Sequence, residues 1–183
     1  MCLLLIMLMG CASTTIPVSY VPQGFVRYTG QASIGNFEYI PSKLPAKKAR
    51  VAPSQIQGVA RGKVYVSANI AKLAQRATAL ELEKTGIKLS DDHLLRIDGE
   101  VLEFKVRAEG QKNIWTYAIR YKIVHKTDGI VLLNKIYSAE PVMSGRQNTA
   151  SDLSPFINEL ILSGYNKFIG DGDVKKIFSD NDY

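Results

Sequence analysis

The stretch from Ile114 to Val124 alternates without a break. Trp115, Tyr117, Ile119, Tyr121 and Ile123 fall on one side, and Thr116, Ala118, Arg120 and Lys122 on the other. A period of two is that of a strand with one buried and one wet face. Such a strand needs antiparallel neighbours in a sheet and an apolar layer over its odd-numbered face. Upstream, Leu94 to Val106 supplies one neighbour, with Leu95, Ile97, Gly99 and Val101 in phase and then Phe104 and Val106. The phase slips between Val101 and Phe104, which predicts a bulge near Gly99 to Glu103. Glu109-Gly110 turns the chain between the two strands. Downstream, Asp128-Gly129 is a two-residue hairpin signal. It sets Tyr121 opposite Ile136 and Lys122 opposite Lys135, on a strand from Ile130 to about Glu140 that Pro141 ends.

The apolar layer is legible as two helices. Ile70, Leu73, Ala74, Ala77 and Leu80 recur at helical spacing after Ser67, a candidate cap, and Gly86 stands where a left-handed C-cap is wanted. Ser154-Pro155 opens the second, with proline at the first helical position. Its stripe is Phe156, Ile157, Leu160, Ile161, Gly164, Phe168 and Ile169, closed by Gly170 and Gly172. A short terminal segment follows, with Val174, Ile177 and Phe178 on one side. Before the first helix, Gln31 to Ile40 alternates between Gly30 and Pro41 and reads as an edge strand. Pro41 to Gln57 reads as a loop. The expected class is α+β in the order β-α-β-β-β-α, a four-stranded, mostly antiparallel sheet with two helices packed on one face.

The N-terminus is of a different kind. An apolar run, Cys2 to Met9, ends in Gly10-Cys11 and gives way at once to Ala12-Ser-Thr-Thr-Ile-Pro. A small residue before a cysteine at the end of an apolar run looks like a bacterial lipoprotein signal, in which the cysteine is acylated and everything before it removed. The run is too short for a transmembrane helix, which needs about 20 residues. It also lacks the basic residues that normally open a signal peptide, as a start codon placed too far downstream would explain. The competing reading is an apolar strand with no targeting role. The organisation expected is a signal peptide at 1–10, a lipidated N-terminus and flexible tether at 11–30, and one periplasmic α+β domain at 31–183. With Cys2 removed, Cys11 is the single thiol and no intramolecular disulfide can form. Ala12 rather than Asp after the cysteine points, in enteric-like bacteria, to the outer membrane.

The formal net charge is +6, and six cations with no acid between them are concentrated in one stretch: Lys43, Lys47, Lys48, Arg50, Arg61 and Lys63. They are candidate contacts for an anionic ligand such as lipopolysaccharide or phospholipid. The alternative is a solvated basic loop. Enzyme chemistry finds no foothold. His93 and His125 are isolated, there is no Cys/His ligand spacing for a metal, and neither a phosphate-binding glycine loop nor a nucleophile elbow occurs. Asp171-Gly-Asp173 lacks the later ligand positions of a calcium loop and reads as a helix-ending turn. No cofactor is expected.

The lipobox, the helix end Ala79-Leu-Glu-Leu-Glu-Lys-Thr-Gly86-Ile-Lys-Leu, the strand Leu95-Arg-Ile-Asp-Gly-Glu-Val-Leu102 and the hairpin from Tyr117 through Asp128-Gly129 resemble YajG-type lipoproteins. LptE-like lipoproteins share the same element order and are similar at greater distance. The resemblance spans about Val59 to Phe178 and implies a non-enzymatic lipoprotein facing the periplasm at the outer membrane. Two roles are consistent with it. The chain acts as an accessory or assembly factor docked on another envelope protein through its sheet face or edge, or it binds an anionic amphiphile. Its partners would be the membrane, through acyl chains on Cys11, and an envelope protein or lipid. Nucleic acid is not expected.

Overall fold

The computed structural model describes residues 13–24, 28–45, 50–60, 62–146 and 148–179. The chain runs β1 (Ser13–Ile16), β2 (Gly30–Tyr39), α1 (Ile40–Lys43), β3 (Gln55–Ala60), β4 (Gly62–Val66), α2 (Ile70–Thr85), β5 (Ile87–Leu89), β6 (Leu95–Glu109), β7 (Lys112–His125), β8 (Val131–Ser138), β9 (Val142–Gly145), α3 (Ala150–Ile169) and α4 (Gly172–Ser179). Its spine is the antiparallel β6–β7 hairpin, paired from Leu95↔His125 to Glu109↔Lys112. The free edge of β6 is shared by two strands in succession. The parallel strand β2 takes Arg96 to Val101, and β3 takes Lys105 through Gln57. The far edge of β7 is divided likewise, between β8 at Ala118–Val124 and β9 at Lys112–Trp115. Adding β5 beside β2, and β4 and β1 beyond β3, gives mixed sheets of six and three strands.

The α+β class stands, but the expected four-stranded sheet with two helices is too small. The first strand expected is present as β2, yet it pairs parallel to β6 and is flanked by β5. The missing strands are short, and two of them, β3 and β4, lie among glycines and prolines between Pro41 and Val66 where periodicity cannot register.

The odd positions of β7 do face the core. Trp115, Tyr117, Ile119, Tyr121 and Ile123 are all buried. Tyr121 stacks on Phe168 of α3 at 4.2 Å between ring centroids, and its hydroxyl bonds Thr78 of α2 at 2.9 Å. One strand thereby meets both helices. A stacked aromatic pair of this kind contributes about 0.5–1.5 kcal/mol beyond its buried area. The expected bulge is at Leu102, where the register shifts between Val101 and Glu103. Gly99 itself pairs regularly, and it is glycine for another reason. A Cβ there would lie 2.3 Å from the Phe37 ring, which packs against the backbone at that point.

Both helices start elsewhere than the sequence suggests. Asn69, not Ser67, caps α2, its Oδ1 accepting from the Ala71 N–H at 2.9 Å. The α3 helix begins at Ala150, so Pro155 lies inside it. The Asp152 carboxylate accepts from the Thr149 N–H at 2.8 Å and hydroxyl at 2.7 Å. Gly86 caps α2 in the left-handed region as expected, with φ 99°.

The segment expected as a flexible tether is, where described, part of the domain. Ser13–Ile16 is a strand, parallel to β4 with Ser13 beside Lys63 and Ile16 beside Val66, and Ile16 is fully buried. The chain then crosses both helices. The Ser67 hydroxyl accepts from the Val18 N–H at 3.0 Å, and Asn158 of α3 donates to the Ser19 carbonyl at 3.1 Å. Glu81 of α2, fully buried, accepts from the Tyr20 hydroxyl at 2.6 Å and from the Gln23 and Gly24 N–H groups at 2.9 and 2.7 Å. Tyr28 completes the strap, its N–H on the Thr85 carbonyl and its hydroxyl on that of Ile169.

Strand β8 is displaced by one residue from the expected register. Tyr121 faces Lys135 and Lys122 faces Asn134. The turn is wider than two residues, with the His125 N–H on the Ile130 carbonyl and the Gly129 N–H on that of His125. A one-residue slip exchanges the faces of a strand. Ile136 therefore points out to solvent, and Lys135 points toward the helices. There its ammonium lies 3.0 Å from Asp171 and 2.7 Å from Asp173, while Tyr137 donates to Asp171 at 3.1 Å. Asp171-Gly-Asp173 is thus a helix-joining turn whose cation is a lysine.

Burial pushes the Asp171 carboxyl up, but Lys135, the Asp173 N–H and Tyr137 outweigh it and hold the group below its ordinary value. A carboxylate depressed in the folded state stabilises above its unfolded pKa and loses that contribution as pH falls through the folded one. We expect Asp171→Asn to melt below the parent chain near neutrality. The gap should close below about pH 4, near the ordinary carboxylate pKa. Thermal unfolding of the pair across that range is the measurement, and a gap independent of pH would contradict the account.

Candidate docking face

Among the described residues, α2, α3 and α4 pack on one face of the six-stranded sheet and the other is open. Its centre is a charged ladder built by the alternation of β6 and β7, whose even-numbered residues opposite each other share the outer face. Arg120 lies 2.6 Å from Glu100, and Lys122 bonds the other oxygen of the same carboxylate. The Lys122 ammonium, followed by the Arg120 guanidinium, holds the Glu100 carboxyl below its usual range against a smaller push from burial. Arg96 grips Asp98 with two nitrogens at 2.9–3.1 Å, and the Asn36 N–H adds a third donor at 2.9 Å. Asn36, Glu38, Arg96, Asp98, Gly99, Glu100 and Lys122 line a shallow concavity of about 410 Å³. Its charges are mutually compensated, so it offers a patterned polar floor and no uncompensated charge for a ligand.

Beside the ladder the surface turns apolar. Ile136 is 53% exposed next to Arg120, and Met143 is 58% exposed next to Ile114. Val131, at the start of β8, is 52% exposed. Among the described residues β8 and β9 pair only with β7, so their outer backbone edge is free. Edges of this sort are usually blunted by lysine, proline or a covering loop. Here the edge carries isoleucine, valine and methionine. The sequence reading missed the site because its register put Ile136 in the core.

The basic run does not assemble into one patch among the described residues. Lys43 ends α1 and pairs with Glu38 at 2.6 Å, and Arg50 donates to the Ser42 carbonyl beside it. Lys63 is on β4, against Ser13. Lys47, Lys48 and Arg61 lie outside the described residues, as does Cys11. His93 accepts from the Leu95 N–H, and His125 meets Asp128 at 2.8 Å. No cluster of metal-ligating side chains occurs among the described residues. No described helix is long and apolar enough to cross a membrane.

No family model and no curated protein matches the chain. Solved structures do. A protein from Xanthomonas campestris of the DUF330 family superposes with a TM-score of 0.63 at 11% identity, covering 91% of this chain and 97% of its own. A hypothetical protein from Chlamydia trachomatis gives 0.49 at 9% identity, covering 78% and 96%. A minor lipoprotein from Acinetobacter baumannii gives 0.45 at 13% identity, covering 80% and 94%. The Xanthomonas likeness establishes a shared fold and nothing of function, and the other two are weaker. None of the three is named as a YajG-type or LptE-like protein.

Proposed function

We propose that this chain is a bacterial lipoprotein anchored by acyl chains on Cys11 at the periplasmic side of the outer membrane. It acts without catalysis, as an accessory or assembly factor docked on another envelope protein. The observation that carries docking is the β8–β9 edge, where unpaired backbone and the side chains of Val131, Ile136 and Met143 are presented together. A partner strand laid there would gain backbone hydrogen bonds, and the apolar side chains would set its register. The amphiphile alternative requires room between helices and sheet. That space is filled by Tyr117, Tyr121, Tyr165 and Phe168, all nearly inaccessible.

The test is a photo-crosslinking residue placed at Ile136, at Met143 and, as control, at Arg76 on the exposed side of α2. One protein adduct of fixed stoichiometry is expected from the first two positions and not from the third. A charge at the edge, Ile136→Lys, should weaken capture from Met143 by about tenfold or more. Adducts to lipid alone would transfer the function to amphiphile binding, and equal labelling at Arg76 would remove the edge from the account.

A further inference from the structure

The residue proposed to be acylated is close in sequence to the first described strand. Cys11 precedes Ser13 by two residues, and Ser13 is already paired with Lys63. Two residues span at most about 7 Å however they are arranged. Lys63 is one strand away, about 4.8 Å further. The anchor therefore cannot hold this domain at a distance.

The sheet has two ends, and the topology says which one meets the anchor. Strand β4 leaves Gly62 alongside β1, and Ala60 pairs with Gly62, so the β3–β4 turn lies at the Ser13 end. Strand β3 runs parallel to β6, which brings the Glu109–Lys112 turn of the spine to the same end. Gly145 of β9 pairs with Lys112, and the Arg146 N–H bonds the Gln111 carbonyl there. This end thus gathers Lys63, Arg107, Lys112 and Arg146. Of its acids, Glu109 is paired with Arg107 at 3.2 Å, and Asp152 is engaged by Thr149. Lys63 and Lys112 are exposed and form no ion pair among the described residues. The opposite end carries Asp91, Asp92 and Asp128 in its turns, with Lys126, and Lys84 and Lys88 beside them at the end of α2 and on β5.

We infer that the anchored protein stands end-on against its own membrane, with the Ser13, Lys63 and Lys112 end of the sheet on anionic lipid headgroups and the Asp128 turn pointing away. This rests on acylation at Cys11. The short leash sets which end is near, and unpaired cations within a Debye length of the surface favour anionic over zwitterionic lipid. The β8–β9 edge then rises away from the bilayer, open to a partner in the periplasm.

The experiment uses the mature acylated chain in phosphatidylcholine vesicles, with and without phosphatidylglycerol. Gln111→Cys and Thr127→Cys, each fluorescently labelled, report the two ends through a headgroup-attached nitroxide quencher. Acylated Cys11 leaves no other thiol to label. Quenching at position 111 should exceed that at 127 several-fold and increase with phosphatidylglycerol. Lys63→Glu with Lys112→Glu should abolish the increase while the protein stays anchored. Equal quenching at both ends of a chain that mass spectrometry shows to be acylated would overturn the orientation and leave the anchor standing. A phosphatidylglycerol response that survives the double variant would overturn the headgroup contact. A chain without acyl groups would overturn both inferences.

Discussion

Replacing Glu81 with alanine should release the N-terminal strap. The buried carboxylate is the acceptor for two backbone N–H groups and a phenol on the segment that crosses α2. Removing it leaves three donors facing a cavity. Each unpaired donor costs about 1–3 kcal/mol, so roughly 3–9 kcal/mol in all is expected if the strap stays in place. The strap has an escape, since it can lift off and give its donors to water. The loss of global stability is then capped at the free energy of detaching residues 17–24.

Hydrogen exchange separates these outcomes. Amides of Gln23 and Gly24 should exchange on the order of a hundredfold faster in Glu81→Ala, while core amides of β7 change far less. Glu81→Gln refines the account, because its amide keeps one acceptor. The hydroxyl of Tyr20 can reverse its role, but one backbone N–H, of Gln23 or of Gly24, must face the new NH₂. About 1–3 kcal/mol is expected there. Unchanged exchange at both amides in the alanine variant would show that Glu81 does not hold the strap. Gly24 gives a second view of the same contact, since a Cβ on it would stand 2.7 Å from the carboxylate.

The strap also shows what a sequence withholds. Residues 17–24 have no period, because their hold on the domain is a set of single hydrogen bonds to α2, α3 and the Ser67 hydroxyl. Composition rich in Pro, Ser and Thr then reads as a tether. A sign was nonetheless present. Glu81 falls four residues after Ala77, on the stripe of α2 that faces inward, together with Thr78 and Thr85. A carboxylate there must find donors from outside its own helix. By contrast the β6–β7 spine was legible down to the bulge, short only of its last turn-flanking residues, because each strand has one wet face and its side chains alternate. The docking edge was lost to one wrong step. Asp128-Gly129 taken as a two-residue turn shifts β8 by one, and a shift of one moves Ile136 from outside to inside. Of the cations from Lys43 to Lys63, the structure describes Lys43, Arg50 and Lys63. Adjacency in sequence brought Lys43 and Arg50 together at α1, but strand β3 intervenes and carries the chain to Lys63 at the β1 edge.

If Cys11 carries the proposed acyl chains, Cys11→Ser should show the largest effect on location and the least on fold. Serine offers no thiol to acylate. A single chain binds a membrane only marginally, whereas several together are effectively permanent, so the change removes the whole of the lipid anchorage. The fold has its own reasons to form. The pairing of Ser13–Ile16 with β4, the burial of Ile16 and the Glu81 contacts all begin beyond the anchor. The serine protein should therefore lose incorporation of labelled fatty acid and leave the outer-membrane fraction, while its melting temperature stays within a degree or so of the mature domain's, as for an exposed substitution of under about 0.5 kcal/mol. Glu81→Ala is its converse, with the anchor kept and the strap loosened. A Cys11→Ser protein that still fractionates with the outer membrane would mean that protein contacts hold it there, and the β8–β9 edge would be the first place to look. Combining it with Ile136→Lys settles the matter: a protein held by both the anchor and the edge should come off with the double change and not with either alone, whereas one held only by docking should come off with Ile136→Lys by itself.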